Sequence, residues 1–256
     1  MQTVIAQGHR LEYARLPSAH PKPHAPTIVF LHEGLGSIAQ WRDFPQRVAD
    51  ASGCEALVYS RYGYGRSDRL AQARGMRYMH EEALLALPEL LDKLSIEQPV
   101  LFGHSDGASI ALIHAGSGQR PVRGIVAMAP HVMVEPITIS GIVAARSVYQ
   151  KTDLPRRLGR YHDDVDSVFW AWNDRWLHPD FLAWNIEEYL PHITAPILAI
   201  QGEDDEYATM AQIERIARQS PDVELVKLAD CRHSPHKDQA EAALASVADF
   251  LARLLD

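Results

Sequence analysis

Pro99-Val100-Leu101-Phe102-Gly103-His104-Ser105-Asp106-Gly107 is the stretch on which the reading of this chain turns. Pro99–Phe102 is a strand-like run, and Ala108-Ser109-Ile110-Ala111-Leu112-Ile113 beyond it is helix-like. Serine with glycine two positions to either side is what a sharp strand-to-helix turn needs. A Cβ at either flank would collide with the neighbouring strand or helix. Such a turn strains the serine backbone and holds the hydroxyl clear of it, while the helix N-terminus favours developing negative charge. Ser105 is therefore the candidate nucleophile.

Strands and helices alternate on both sides of that turn. Arg10–Leu16 alternates apolar and polar residues, as a half-exposed antiparallel strand does. Thr27–Leu31 and Ala56–Tyr59 are continuous apolar runs, the pattern of strands buried on both faces. Further strands are expected at Gly124–Met128, Ile197–Ile200 and Val223–Leu228. The spacing predicts helices over 41–51, with Phe44, Val48 and Ala51 inward, and over 80–94, with Leu84, Leu87, Leu91 and Leu94 on one stripe. A last helix is expected over 239–255. Alternation of this kind predicts an α/β fold with a mostly parallel central sheet and helices on both faces. From Pro130 to Pro196 the rhythm breaks, and Trp170, Trp172, Trp176 and Trp184 cluster there. An inserted helical cap over 136–190 is expected, with 1–135 and 191–256 forming the core.

Composition excludes several classes. The chain has 256 residues, 46% of them hydrophobic, enough for one large α/β domain with a sizeable core. A net charge of −8 argues against nucleic acid or an anionic membrane as the main partner. Cys54 and Cys231 stand alone and read as reduced thiols rather than a disulfide framework. The N-terminal residues lack the basic and apolar regions of a signal peptide, and no run approaches membrane-spanning length. A cytoplasmic protein is expected, and self-association into a homo-oligomer is left open.

A serine hydroxyl is a poor nucleophile unless a base takes its proton and a third group orients that base. Gln201-Gly202-Glu203-Asp204-Asp205-Glu206 follows one predicted strand, and Ala229-Asp230-Cys231-Arg232-His233-Ser234-Pro235-His236 follows the next. Both stretches lie past the carboxyl ends of parallel strands, where open α/β sheets place their sites. The order along the chain is serine, acid, histidine.

In that order, and over nearly its whole length from Thr27, the chain resembles the α/β-hydrolase superfamily, in its small form with a helical cap. Leu31-His32-Glu33-Gly34-Leu35-Gly36-Ser37 is similar to the family's histidine–glycine oxyanion loop, and Ser60-Arg61-Tyr62-Gly63-Tyr64-Gly65-Arg66-Ser67 to its glycine segment after the next strand. The resemblance implies Ser105 as nucleophile, His233 as base and Asp205 as acid, with Asp204, Glu203 and Glu135 as rival acids and His236 as rival base. It also implies an oxyanion hole from the backbone N–H groups of Gly34 and Asp106, with Glu33 as second choice. The His233-x-x-His236 spacing alone makes a weak metal pair, and neither metal nor cofactor is required.

Glu33 and Arg232 depart from the family, which usually has glycine at both places. Glu33 either points away and pairs with Arg61 or Arg42, or faces the pocket and holds a polar or cationic substrate group. Trp170 and Trp172 either pack in the core or line an acyl pocket over Ser105. His104 and Asp106 read as structural, and His20, His24 and His162 as loop residues. The expected activity is hydrolysis of a small-molecule carboxylic ester through an acyl-enzyme. Thioester, lactone and carbon–carbon substrates are alternatives on the same residues, and a receptor with little turnover is the rival from another class.

Overall fold

In the computed structural model, which describes residues 1–255, eight strands form one sheet. They are β1 (Gln2–Ala6), β2 (His9–Leu16), β3 (Ile28–Leu31), β4 (Ala56–Tyr59), β5 (Val100–His104), β6 (Gly124–Met128), β7 (Ile197–Gly202) and β8 (Val223–Leu228). Their order across the sheet is β1-β2-β4-β3-β5-β6-β7-β8. From β4 to β8 every pairing is parallel, and β2 joins β4 antiparallel. β1 has no counterpart among the strands expected from the sequence. It pairs with β2 through a tight turn at Gln7 and Gly8, both at positive φ, as a two-residue hairpin requires.

Period-two alternation sorts the strand side chains into two cores. Val29, Leu31, Leu57, Tyr59 and Leu101 face one way. Ile28, Phe30, Ala56, Val58, Val100 and Phe102 face the other. The second face is covered by α1 (Phe44–Ser52), a two-turn helix with Pro45 in its first turn. It starts three residues later than the sequence pattern suggests, because a separate 3-10 turn occupies Ile38–Trp41. Ala51 is accordingly exposed, and Ala49 is the buried neighbour of Val48.

On the first face lie α2 (Tyr78–Glu81) and α3 (Leu87–Lys93), joined without a break by a π-helical turn at Glu82–Ala86. The helix expected over 80–94 is thus present, shifted by two residues at its start. α4 (Asp106–Gly116) follows β5 directly and is buried along its whole length. That burial on every side is why its sequence shows no polar stripe.

Between β6 and β7 the chain forms α5 (Pro136–Lys151), α6 (Leu154–Leu158) and α7 (Val165–Trp176), followed by two 3-10 segments. Glu135 caps α5 in a capping box with Thr138. α8 (Ala211–Gln219), α9 (Pro235–Asp238) and α10 (Ala240–Leu255) complete the fold, with α10 packed beside α1 through Val247, Phe250 and Leu251. Among the described residues no helix is long and apolar enough to cross a membrane.

Candidate active site

Ser105 sits between β5 and α4 at φ 54° and ψ −119°, a conformation that costs a non-glycine residue on the order of 1–3 kcal/mol. The two flanking glycines explain how the turn is tolerated. A Cβ on Gly107 would fall 2.0 Å from the Leu31 carbonyl oxygen, and one on Gly103 would fall 2.3 Å from the Gly107 carbonyl. The Ser105 N–H is fixed by the Met128 carbonyl at 2.9 Å.

The ends of β7 and β8 bring two more side chains to that hydroxyl. His233 Nε2 lies 2.9 Å from Ser105 Oγ, and His233 Nδ1 lies 2.8 Å from Asp205 Oδ2. Because Nδ1 faces a carboxylate it carries the ring proton, which leaves Nε2 to accept from the serine hydroxyl. Asp205 is held from its other sides by Gln201 Nε2 at 2.5 Å and the Tyr207 N–H at 2.8 Å. Burial by itself would raise the Asp205 pKa, but His233 and the donated hydrogen bonds bring it below the usual value. For His233, burial favours the neutral ring, and the Asp205 charge and hydrogen bond, with Glu206 and Glu33, together outweigh it and raise the pKa.

The rival acids and base lie elsewhere. Asp204 and Glu203 are exposed. Glu135 accepts from Thr209 and Gln212 while capping α5. His236 is buried between Trp41 and His104, with ring centroids 4.9 Å from each. Among the described residues no group of three or more His, Cys, Asp or Glu is arranged to hold a metal ion. Arg232 pairs with Glu206, whose second oxygen accepts the His233 N–H at 3.2 Å. Cys54 and Cys231 are buried and free.

Gly34 and Asp106 line the same cavity as Ser105, and the backbone N–H of neither donates to another protein atom among the described residues. One guanidinium sets the plane of the Gly34 peptide. Arg61, fully buried, donates through Nη2 to the carbonyls of His32 at 3.0 Å and Glu33 at 2.9 Å. The Glu33 carbonyl also accepts from His32 Nδ1–H at 2.7 Å. In a trans peptide the N–H points opposite its C=O, so anchoring the Glu33 carbonyl aims the Gly34 N–H away from Arg61. Asp106 uses its carboxylate structurally, accepting from Tyr78 Oη at 2.7 Å.

The expected pairing of Glu33 with Arg61 or Arg42 is corrected. Only its carbonyl meets Arg61, while its carboxylate lines the cavity and lies 3.5 Å from His104 Nδ1 and 3.8 Å from Lys237 Nζ. Burial would raise the Glu33 pKa, yet His104 and Lys237 hold it well below the usual carboxylate range. His104 Nε2 faces the His233 carbonyl at 2.7 Å and so carries a proton. His104 thereby links the loop of Glu33 to the loop bearing His233.

A cavity of about 210 Å³ opens beside Ser105, walled by Leu35, Ile142, Leu158, Trp172 and Trp176. Trp172 lines it, so close to Gly34 that a Cβ there would lie 2.3 Å from its ring. Trp170 is not. It packs on the outer side against Tyr149 and Phe169, with the Arg146 guanidinium 5.5 Å above its ring.

Two more histidines are buried here, one of them, His131, not singled out in the sequence. His131, just after β6, borders the cavity, its pKa pushed down to about 4 by burial and the nearby His233 charge. His162, read as a loop residue, is buried and accepts the Gly65 N–H at 3.0 Å. Neither carried a motif in the sequence, since each sits beside a turn with no fixed spacing to the others.

A strained serine at a strand–helix turn, backed by acid and histidine from later strand ends, defines an α/β-hydrolase architecture. Residues 28–247 match the alpha/beta hydrolase family, and the chain belongs to it. It is 26% identical over 254 residues to a 2-hydroxy-6-oxononadienedioate/2-hydroxy-6-oxononatrienedioate hydrolase of Cupriavidus pinatubonensis, covering 89% of this chain and 87% of that protein. Among solved structures it is similar to the enol-lactonase from Burkholderia xenovorans LB400, at 20% identity and a TM-score of 0.78, covering 98% of this chain and all of that one. It is also similar to a meta-cleavage product hydrolase from Pseudomonas fluorescens IP01, at 16% identity and a TM-score of 0.73, covering 99% and 98%. The protein is a hydrolase enzyme of this superfamily.

Proposed function

We propose that the chain is a serine hydrolase that cleaves a small carboxylic ester or related acyl substrate through an acyl-enzyme. The observation that carries this reading is the 2.9 Å contact between His233 Nε2 and Ser105 Oγ, with Asp205 on the far side of the ring. Ser105 Oγ attacks the acyl carbon as His233 takes its proton. The N–H groups of Gly34 and Asp106 receive the oxyanion, a contribution of roughly 3 kcal/mol for each donor. Collapse breaks the bond to the leaving group, which takes the proton from His233. Water, deprotonated by His233, then releases the acid and restores the Ser105 hydroxyl. Asp205 orients the imidazole and stabilises its protonated form.

Helices α5–α7 act as a cap, and the cavity beneath them bounds the acyl group. Its volume exceeds the ~150 Å³ that encloses a benzene ring, so an acyl group of about benzoyl size fits. Carbon–carbon hydrolysis of dienoic diketones is the second reading, favoured by likeness to the hydrolase of 2-hydroxy-6-oxononadienedioate. Labelling with a fluorophosphonate, followed by assay on esters, thioesters, lactones and a dienoic diketone of graded size, tests both. Ser105 takes the label in the wild type and not in Ser105→Ala. Absence of labelling in folded wild-type protein refutes the acyl-enzyme, and cleavage of the diketone alone selects the second reading.

A further inference from the structure

Outside the catalytic cavity, and sharing Gln40 and Leu158 with it, runs a groove of about 310 Å³. Its remaining lining includes Arg42, Arg157, Arg160 and Lys237, and no carboxylate. Four cations lining one groove stand out in a chain of net charge −8. Arg157 is paired with Asp153 at 3.1 Å, and Lys237 lies 3.8 Å from Glu33. Arg42 and Arg160 have no ion pair among the described residues, and both are exposed. Leu154, Leu158 and Tyr161 give the groove an apolar side against which a stem can lie.

We propose that this groove binds an anionic oxygen group, phosphate or carboxylate, carried on the leaving-group side of the substrate. The inference rests on the acyl-enzyme reading. In that chemistry the acyl group stays on Ser105 in its cavity while the leaving group departs first, and the groove adjoins that cavity through Gln40 and Leu158. Guanidinium groups suit this task because they meet carboxylate and phosphate oxygens with paired N–H donors. Two unpaired arginines in this adjoining groove also draw anionic substrates inward, an effect that salt screens.

The test holds the acyl group constant and changes the charge of the leaving thiol. Benzoyl thioesters of N-acetylcysteamine (neutral), 3-mercaptopropionate (carboxylate) and coenzyme A (phosphates) are compared on wild type and on Arg42→Gln/Arg160→Gln. In each, Ser105 Oγ bonds to the acyl carbon, the C–S bond breaks and the thiol leaves with the proton from His233. At low salt the wild type has at least about tenfold higher kcat/KM for a charged thioester than for the neutral one, and the double variant loses that advantage. Cleavage of the neutral thioester stays within about twofold, because neither arginine belongs to the catalytic machinery. Preference for coenzyme A over mercaptopropionate identifies phosphate as the group bound, and the reverse identifies carboxylate. Equal kcat/KM for all three, unaffected by the variant or by salt, overturns the inference while leaving the acyl-enzyme intact. Failure of fluorophosphonate to label Ser105 overturns the acyl-enzyme reading and this inference with it.

Discussion

Arg61 grips Glu33 by its backbone: Nη2 donates to the Glu33 carbonyl at 2.9 Å, with the His32 carbonyl 3.0 Å from the same nitrogen. A buried guanidinium spent on two peptide carbonyls fixes the orientation of both peptide planes in the loop that runs into Gly34. Burial alone would lower the Arg61 pKa, but Tyr64, Glu82 and Asp106 favour the cation, so it stays charged.

Arg61→Met removes both bonds, leaving the Glu33 carbonyl with His32 Nδ1–H alone and the His32 carbonyl without the Arg61 donor. If the Gly34 N–H serves as an oxyanion donor, kcat falls by about 10²–10³ with KM little changed, as loss of one such donor does. The His32 carbonyl left without its donor costs a further 1–3 kcal/mol or so of stability, visible as a lower Tm. Arg61→Lys keeps the charge without the fork and recovers part of Tm but little of kcat. Full kcat in a folded Arg61→Met protein would show that the loop orients itself.

The pairing of residues 33 and 61 also shows how far the sequence can be read. It brings the right two residues together and joins the wrong atoms, because side-chain charge is visible in a sequence and carbonyl direction is not. The buried strands are legible for a related reason. Burial on both faces forces unbroken apolar runs such as Ile28–Leu31, which little else in an α/β chain imitates. Strand β1 escapes notice because its apolar run, Val4–Ala6, is only three residues long and shows no period-two alternation, only Ala6 being buried. Ser105, Asp205 and His233 can be picked out since each follows a recognisable strand end. Trp170 and Trp172 cannot be told apart, as two residues on one helix point in nearly opposite directions and the sequence does not say which faces Ser105.

The glycines around the serine give a sharp stability contrast. Gly107→Ala puts a methyl group 2.0 Å from the Leu31 carbonyl oxygen, a backbone atom that cannot rotate away. The strand or the helix must then shift, and several kcal/mol of stability are lost along with the Ser105 geometry. Gly118 makes a matched control, at φ +68° with nothing within 4 Å of the place a Cβ would take. Gly118→Ala bears only left-handed strain, of order 1 kcal/mol. Thermal melts of the two variants should separate clearly, with activity retained only in Gly118→Ala; equal Tm losses would mean the turn is not as tightly packed as described.

Trp172 and Trp170 are separated by substrate profile. Trp172→Ala opens the cavity and frees the loop at Gly34, so kcat/KM for a small acyl ester falls while longer acyl groups gain. Its removal also costs about 3–5 kcal/mol as a buried aromatic truncated to alanine. Trp170→Ala loses its contacts with Tyr149, Phe169 and Arg146 on the outer side, and kcat/KM across the same esters stays within about twofold. An altered acyl preference in Trp170→Ala would place its ring in the acyl pocket after all.

Asp205 is tested through pH. As base, His233 works in its neutral form, and Asp205 raises its pKa above the ordinary 6.5. Plotted against pH, kcat/KM therefore rises through a value above 6.5 and levels off at alkaline pH. Asp205→Asn removes the charge that favours the imidazolium, so the acid limb moves to lower pH even as the plateau drops by up to about 10⁴. Asp204→Asn, at an exposed carboxylate, leaves both limb and plateau in place. The same pair acts on stability with opposite signs at its two ends. The His233 share is complete below 6.5 and is lost as pH rises through its raised pKa. The Asp205 share is present above the ordinary 3.8 and is lost as pH falls through its lowered pKa. The Tm difference between wild type and Asp205→Asn should thus be largest between about pH 4 and 6.5 and shrink on either side. A limb that stays put in Asp205→Asn and moves in Asp204→Asn would reassign the acid.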